Sequence, residues 1–123
     1  MADIENADSP DQLAIEHRVV DGVRVVTVRG EIDQTVQEAF GKALLEDDGG
    51  VPPRIVLDLG GVTFMDSSGI NVLLSAHRRA SAADGWLRLA GARDAVLRVL
   101  QLVGVDTVIG CYPTVEQAQR PHA

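Results

Sequence analysis

Segments rich in β-branched residues alternate with amphipathic helical segments along most of this chain, and this alternation constrains the fold most strongly. A strand, a helix and a second strand in succession form a right-handed crossover, which places the two strands parallel in one sheet. Asp21-Gly22 instead joins the first two β-rich runs directly, which predicts an antiparallel hairpin. The predicted strands are residues 13–20, 23–28, 55–59, 86–90 and 107–109, and the predicted helices contain residues 36–44, 70–77, 96–103 and 114–119.

The order of elements is therefore β-β-α-β-α-β-α-β-α, which indicates an α/β protein with a mostly parallel mixed sheet and an N-terminal β-hairpin. A chain of 123 residues fits one domain. We expect this domain to span residues 12–119, between a polar, flexible tail over residues 1–11 and a short C-terminal tail over residues 120–123.

The composition narrows the functional class. A formal net charge of −7 argues against a nucleic-acid-binding protein, which needs a basic surface to neutralise phosphates. Cys111 is the single cysteine, so an internal disulfide is excluded, and no cysteine or histidine cluster predicts a metal site. The N-terminus lacks the pattern of a signal peptide, and no apolar run reaches the roughly 18–20 residues of a membrane span. We therefore expect a cytoplasmic protein without a membrane segment.

The segment Asp66-Ser67-Ser68-Gly69 is the most informative stretch of the sequence, because it lies between a buried strand and an amphipathic helix. A helix N-terminus exposes backbone N–H groups and favours negative charge, so a phosphate on Ser67 or Ser68 would find donors there. Gly69 lacks a side chain, which would let a partner approach the backbone closely. Aspartate and serine are also preferred capping residues, and the spacing alone does not choose between capping and modification.

Three motifs resemble the STAS family, which is named for sulfate transporters and anti-sigma-factor antagonists. The first is Thr63-Phe64-Met65-Asp66-Ser67-Ser68-Gly69-Ile70, the second is Gly30-Glu31-Ile32-Asp33, and the third covers residues 94–105. The resemblance extends over residues 13–118 and is most specific in the first motif. It implies a single STAS-like domain whose helices pack mainly on one face of the sheet.

In anti-sigma-factor antagonists, the serine directly after the aspartate is phosphorylated by an anti-sigma factor that is also a serine kinase. The resemblance therefore implies that Ser67 is the phosphorylation site, and that the unphosphorylated protein binds the anti-sigma factor and releases a sigma factor. A PP2C-like phosphatase would reverse the modification. Asp66, Ser67, Ser68, Gly69 and Asp33 are the expected partner-binding residues, with Asp66 orienting the Ser67 hydroxyl and Ser68 capping the helix. Asp33 ends the second predicted strand, and we expect it beside this corner because the strand ends of a parallel sheet meet at one edge. A partner or nucleotide contact and a helix cap are both open for Asp33. No catalytic residue, cofactor or metal is expected.

Other functions fit the sequence less well. A nucleotide-binding or weakly NTP-hydrolysing STAS protein lacks support, because no glycine-rich phosphate loop with a lysine is present. A STAS subunit of a stress-signalling assembly remains an alternative. Asp58 near a strand end suggests the phosphate-accepting aspartate of a receiver domain, but the acidic pair and the late lysine of that fold are missing. His77 is expected to be a packed or half-exposed residue, and Cys111 a buried or half-buried thiol.

Overall fold

The computed structural model describes residues 13–45 and 52–120. The strands are β1 (Ala14–Val20), β2 (Val23–Ile32), β3 (Arg54–Met65), β4 (Trp86–Ala90) and β5 (Cys111–Tyr112). The α-helices are α1 (Gln37–Leu45), α2 (Ser67–Ala82), α3 (Asp94–Leu102) and α4 (Val115–Gln119), and 3-10 turns form at Gln34–Val36 and Val105–Thr107. The predicted tail over residues 1–11 and residues 121–123 lie outside the described residues. So does the segment at residues 47–50, where the sequence Asp47-Asp48-Gly49-Gly50 predicts the end of the first helix.

The strands form one mixed sheet in the order β1-β2-β3-β4-β5, which confirms the predicted α/β class. β1 pairs with β2 in antiparallel orientation, and the other neighbouring strands are parallel. The hairpin prediction is confirmed as well, because Val20 pairs with Val23 across a two-residue turn. Asp21 and Gly22 both have positive φ angles, of 51° and 80°, and this is the turn geometry that matches the twist of two antiparallel strands.

Alternate strand positions point to opposite faces of the sheet and build two apolar clusters of unequal size. The larger cluster joins strand residues such as Val26, Leu57 and Leu89 to residues of α1, α2 and α3. The smaller cluster places Ala118 of α4 against Val56 and its neighbours on the other face. Most helices therefore pack on one face, as expected, and the short α4 partly covers the other.

The predicted last strand at residues 107–109 is wrong. Those residues lie in an irregular connection that begins at Gly104, whose backbone is in the left-handed conformation, and includes the 3-10 turn Val105–Thr107. The strand forms later, at Cys111–Tyr112. The Thr107 hydroxyl donates to the Gly104 carbonyl at 2.6 Å, and the Ile109 N–H donates to the Val105 carbonyl at 2.8 Å. These local hydrogen bonds, together with the burial of Ile109, outweigh the strand preference of its β-branched neighbours.

Candidate functional site

The carboxyl ends of the parallel strands β2 and β3 bring the two expected site aspartates to the same edge of the sheet. Ile32 pairs with Met65, so Asp33 and Asp66 are the next residues along two neighbouring strands. The Asp66 N–H donates to the Ile32 carbonyl at 3.2 Å and joins the start of α2 to the end of β2. The structure thus places Asp33 beside the Asp66-Ser67-Ser68-Gly69 corner, as the sequence indicated.

Asp66 is the N-cap of α2. Its backbone is extended, with φ of −108° and ψ of −167°, and its carboxylate accepts a hydrogen bond from the Ser68 N–H at 2.8 Å. The Asp66 carbonyl accepts from the N–H groups of Gly69 and Ile70, at 3.1 Å and 3.2 Å. A carboxylate at this position also interacts favourably with the positive end of the helix dipole. The N–H groups of Ser68, Gly69 and Ile70 are therefore all bound within the protein.

This geometry corrects two expectations about the serines. Ser68 contributes its backbone N–H to the cap, and the capping side chain is that of Asp66. The N–H groups of Ser68 and Gly69 are both occupied, so a phosphate at this corner would not find those donors unoccupied.

Ser67 is the first residue of the 16-residue helix α2, and its side chain is exposed. Its hydroxyl makes no hydrogen bond with any residue that the structure describes, whereas the neighbouring Ser68 is half-buried. In the free protein, Asp66 therefore caps the helix and does not hold the Ser67 hydroxyl. The hydroxyl is open to an enzyme that approaches from this edge of the sheet.

Gly69 is buried, and the structure gives it a packing role, while its expected contact with a partner stays a prediction. A Cβ atom at this position would lie 2.6 Å from Met65 Cγ and 2.8 Å from Ile32 Cγ2. Both distances are far shorter than a normal carbon–carbon contact of about 3.5–4 Å. Gly69 thus lets the first turn of α2 pack closely on the ends of β2 and β3, which fixes the position of Ser67.

Asp33 has a parallel capping role at the end of β2. It precedes the 3-10 turn Gln34–Val36, and its carboxylate accepts hydrogen bonds from the Thr35 hydroxyl at 2.6 Å and the Thr35 N–H at 3.0 Å. The hydrogen bond from the Thr35 hydroxyl is the largest cause that lowers the pKa of Asp33 below its ordinary value. Asp33 therefore keeps its negative charge beside Asp66 under mildly acidic conditions.

Phe64 is a feature of this edge to which the sequence pattern assigned no role. The register between β2 and β3 shifts at Gly30, and one extra residue enters β3 between Val62 and Phe64. As a result Val62 and Met65 are both buried, while Thr63 and Phe64 are both exposed. A bulge of this kind changes the direction of side chains next to it. Gly30, the glycine within β2, was the sequence signal for this bulge, since an isolated strand glycine often marks one.

Asp58, His77 and Cys111, which were also considered from the sequence, lie away from the two capping aspartates along the chain. The Asp58 carboxylate accepts a hydrogen bond from the Gly60 N–H at 3.0 Å within β3 and thus serves the local backbone. His77 is half-buried on α2, as predicted. Cys111 is half-buried, also as predicted. The pKa of its thiol is raised, mainly by desolvation and to a smaller extent by the Asp106 carboxylate.

Within residues 13–45 and 52–120, no three His, Cys, Asp or Glu side chains gather into a group that would hold a metal ion. No helix in the same part of the chain combines the length and apolar character needed to cross a membrane.

A mostly parallel sheet, a hairpin at its start and a serine-bearing corner after the third strand define a class of small α/β domains. The family model described as "STAS domain" matches residues 14–118, and the chain belongs to this family. Among its curated relatives is anti-sigma-F factor antagonist RsfA of Mycobacterium tuberculosis. It is 30% identical over 108 residues, which cover 85% of this chain and 81% of the relative.

Solved structures show the same architecture. An anti-sigma factor antagonist from Mycobacterium paratuberculosis is 29% identical, with a TM-score of 0.73, and the match covers 89% of this chain and 93% of that one. The anti-sigma factor antagonist SpoIIAA in its unphosphorylated form is 25% identical, with a TM-score of 0.66, and the match covers 85% of this chain and 92% of that one.

Proposed function

We propose that this protein is an anti-sigma-factor antagonist whose binding is switched off by phosphorylation of Ser67. It binds an anti-sigma factor that is also a serine kinase, and this binding releases a sigma factor in the cytoplasm. A PP2C-like phosphatase restores the binding form. The protein itself acts by binding and not by catalysis. The antagonist names of its relatives support the proposal, and one observation carries it: an exposed, uncommitted Ser67 hydroxyl at a rigidly held strand-to-helix corner.

The rigidity of the corner follows from contacts that do not involve the Ser67 side chain. Asp66 caps α2, the Asp66 N–H is bound to the Ile32 carbonyl, and Gly69 packs against Met65. Ser67 therefore has a defined position while its hydroxyl remains available. Both properties suit phosphoryl transfer, which depends on positioning the attacking oxygen in line with the phosphate.

The same geometry explains how phosphorylation would prevent binding without a conformational change. A phosphoserine carries about −1.5 to −2 charges at neutral pH. At position 67 this charge would lie next to the capping carboxylate of Asp66 and near that of Asp33, on a protein whose net charge is already −7. Burying such a group against a partner costs desolvation energy and adds like-charge repulsion, so the phosphorylated corner docks poorly.

The test is a phosphorylation and binding assay with the purified anti-sigma-factor kinase encoded in the same genome. The wild-type protein should acquire one phosphate in the presence of ATP, and peptide mass spectrometry should locate it on Ser67. Ser67→Ala should abolish phosphorylation. Ser68→Ala is the matched control and should leave phosphorylation intact, because the backbone N–H that Asp66 accepts from is retained.

Binding by calorimetry completes the test. Unphosphorylated wild type and Ser67→Ala should bind the kinase with similar affinity, and Ser67→Glu should bind at least about tenfold more weakly, which corresponds to about 1.4 kcal/mol. Phosphate on another residue, or equal binding of the phosphorylated and unphosphorylated forms, would refute the switch. Nucleotide hydrolysis by the protein alone would contradict the non-enzymatic role.

A further inference from the structure

Phe64 has an exposed aromatic side chain next to the corner, with 47% of its surface accessible. Four other large hydrophobic side chains are exposed in the described part of the chain, namely Val19, Leu102, Val103 and Val108. None of these flanks the corner. Val19 pairs with Arg24 at the start of β2, Leu102 and Val103 lie at the end of α3, and Val108 precedes β5. Phe64 is thus the large exposed apolar group at this edge of the described structure.

The exposure of Phe64 is built into the backbone. In a regular strand, Phe64 would share a face with Val62, whose side chain is fully buried. The extra residue in β3 reverses this alternation, so that the ring turns outward and Met65 turns into the core in its place. The bulge interrupts the hydrogen-bond ladder between β2 and β3, and the outward position of the ring is therefore fixed by the fold rather than by a side-chain rotation.

Distance places Phe64 inside the contact area of any protein that reaches Ser67. The two positions are three residues apart in the chain, and three residues span at most about 11 Å. A standard interface covers about 800 Å² on each partner, which corresponds to a radius of roughly 16 Å. A standard interface centred on Ser67 is therefore wide enough to include Phe64.

The surroundings of Phe64 indicate the chemistry of the partner surface. Glu31 is the register partner of Phe64 on β2 and is exposed, and Asp33 lies two residues further along the same edge. The ring is thus accompanied by carboxylates on one side. The complementary surface is an apolar recess with basic or hydrogen-bond-donating groups at its rim. Aromatic side chains buried in such recesses are frequent sources of binding energy in protein interfaces.

We propose that Phe64 is the apolar anchor by which this protein docks on its anti-sigma-factor kinase, while Ser67 acts as the switch. This inference rests on the proposed function and assigns binding affinity and switching to different residues. The anchor supplies affinity, and it does not take part in phosphoryl transfer. Loss of the ring should therefore weaken binding of substrate and transition state equally, which raises KM and leaves kcat unchanged.

The test compares Phe64→Ala with the matched control Leu102→Ala, which removes an even more exposed side chain (78% accessible) at the end of α3. The probe is the purified anti-sigma-factor kinase encoded in the same genome, with full-length wild type measured in parallel. We expect Phe64→Ala to weaken binding about 10- to 50-fold and to raise KM for Ser67 phosphorylation by a similar factor. Leu102→Ala should change either value less than twofold. Phe64→Leu should restore part of the affinity.

Circular dichroism and thermal unfolding of each variant check the fold, which is expected to tolerate the substitution because the ring is half exposed. Wild-type affinity and KM for Phe64→Ala, with Ser67 still phosphorylated, would overturn the anchor and leave the proposed function standing. An equal loss in Leu102→Ala would also overturn it. If the wild type neither binds the kinase nor is phosphorylated by it, the proposed function and the anchor both fail.

Discussion

Gly69 offers a sharp test of how the corner is held, because the structure predicts opposite effects for the same substitution at two helical glycines. In Gly69→Ala the new methyl group would lie 2.6 Å from Met65 Cγ and 2.8 Å from Ile32 Cγ2. These atoms must move by about 1 Å to reach normal contact. Met65 is flexible, but Ile32 is β-branched and lies in a paired strand, so its side chain adjusts poorly.

The expected magnitude combines two opposing contributions. Overpacking of a close-packed core costs about 1–3 kcal/mol. Alanine favours a helix over glycine by up to about 1 kcal/mol. With a mid-range overpacking cost of about 2 kcal/mol, the free energy of unfolding should fall by about 1–2 kcal/mol, which lowers Tm by roughly 5–10 °C in a domain of this size.

Gly41→Ala in α1 is the matched control. Among residues 13–45 and 52–120, a Cβ atom there would meet only Val72 Cγ2, at an ordinary 3.9 Å, and Gly41 does not have a positive φ angle. This variant should gain about 0.5–1 kcal/mol, because the helix preference of alanine acts without a clash. Urea unfolding at equilibrium, with comparison of midpoints at equal m values, measures both changes. A Gly69→Ala protein as stable as wild type, or more stable, would refute the close packing described for this helix start.

Three further substitutions test other contacts. Asp66→Ala should lower the free energy of unfolding by about 1 kcal/mol through loss of the cap, whereas Asp66→Asn should retain most of the stability; equal urea midpoints for both would contradict the cap. The pKa of Asp33 is lowered in the folded protein, so its stabilising contribution is present above the unfolded-state pKa and is lost as pH falls through the folded-state pKa. Thr35→Val should raise the pKa of Asp33 towards its ordinary value in an NMR titration. An unchanged pKa would refute the hydrogen bond from Thr35 as the cause. Arg88→Leu should destabilise the packing of α4 by about 1–2 kcal/mol, since Arg88 donates to the Ala118 carbonyl at 2.9 Å, and hydrogen exchange at Ala118 should accelerate.

Local sequence predicted the elements whose determinants are close together in the chain. The Asp21-Gly22 turn was predictable because few residue pairs adopt positive φ angles at two successive positions. The alternation of strands and helices predicted the parallel part of the sheet for a similar reason, since each crossover is decided by one strand, one helix and the next strand.

Elements that depend on distant partners were less predictable. The last strand was expected at residues 107–109 from β-branched residues alone, but Ile109 is buried in the large core and the strand forms at Cys111–Tyr112. A two-residue strand carries little sequence signal of its own. Its position depends on pairing with Leu89 and Ala90 of β4, about twenty residues earlier in the chain.

For the Asp66-Ser67-Ser68-Gly69 corner, the sequence by itself determined the residue types and the change from strand to helix. Only the tertiary structure decided which groups are occupied and which are open. Asp66 takes the capping role, Gly69 is committed to packing, and Ser67 keeps an exposed hydroxyl. The physical reason is that capping preferences act over a few residues. Exposure, in contrast, depends on the register between β2 and β3, which are brought together from positions about thirty residues apart.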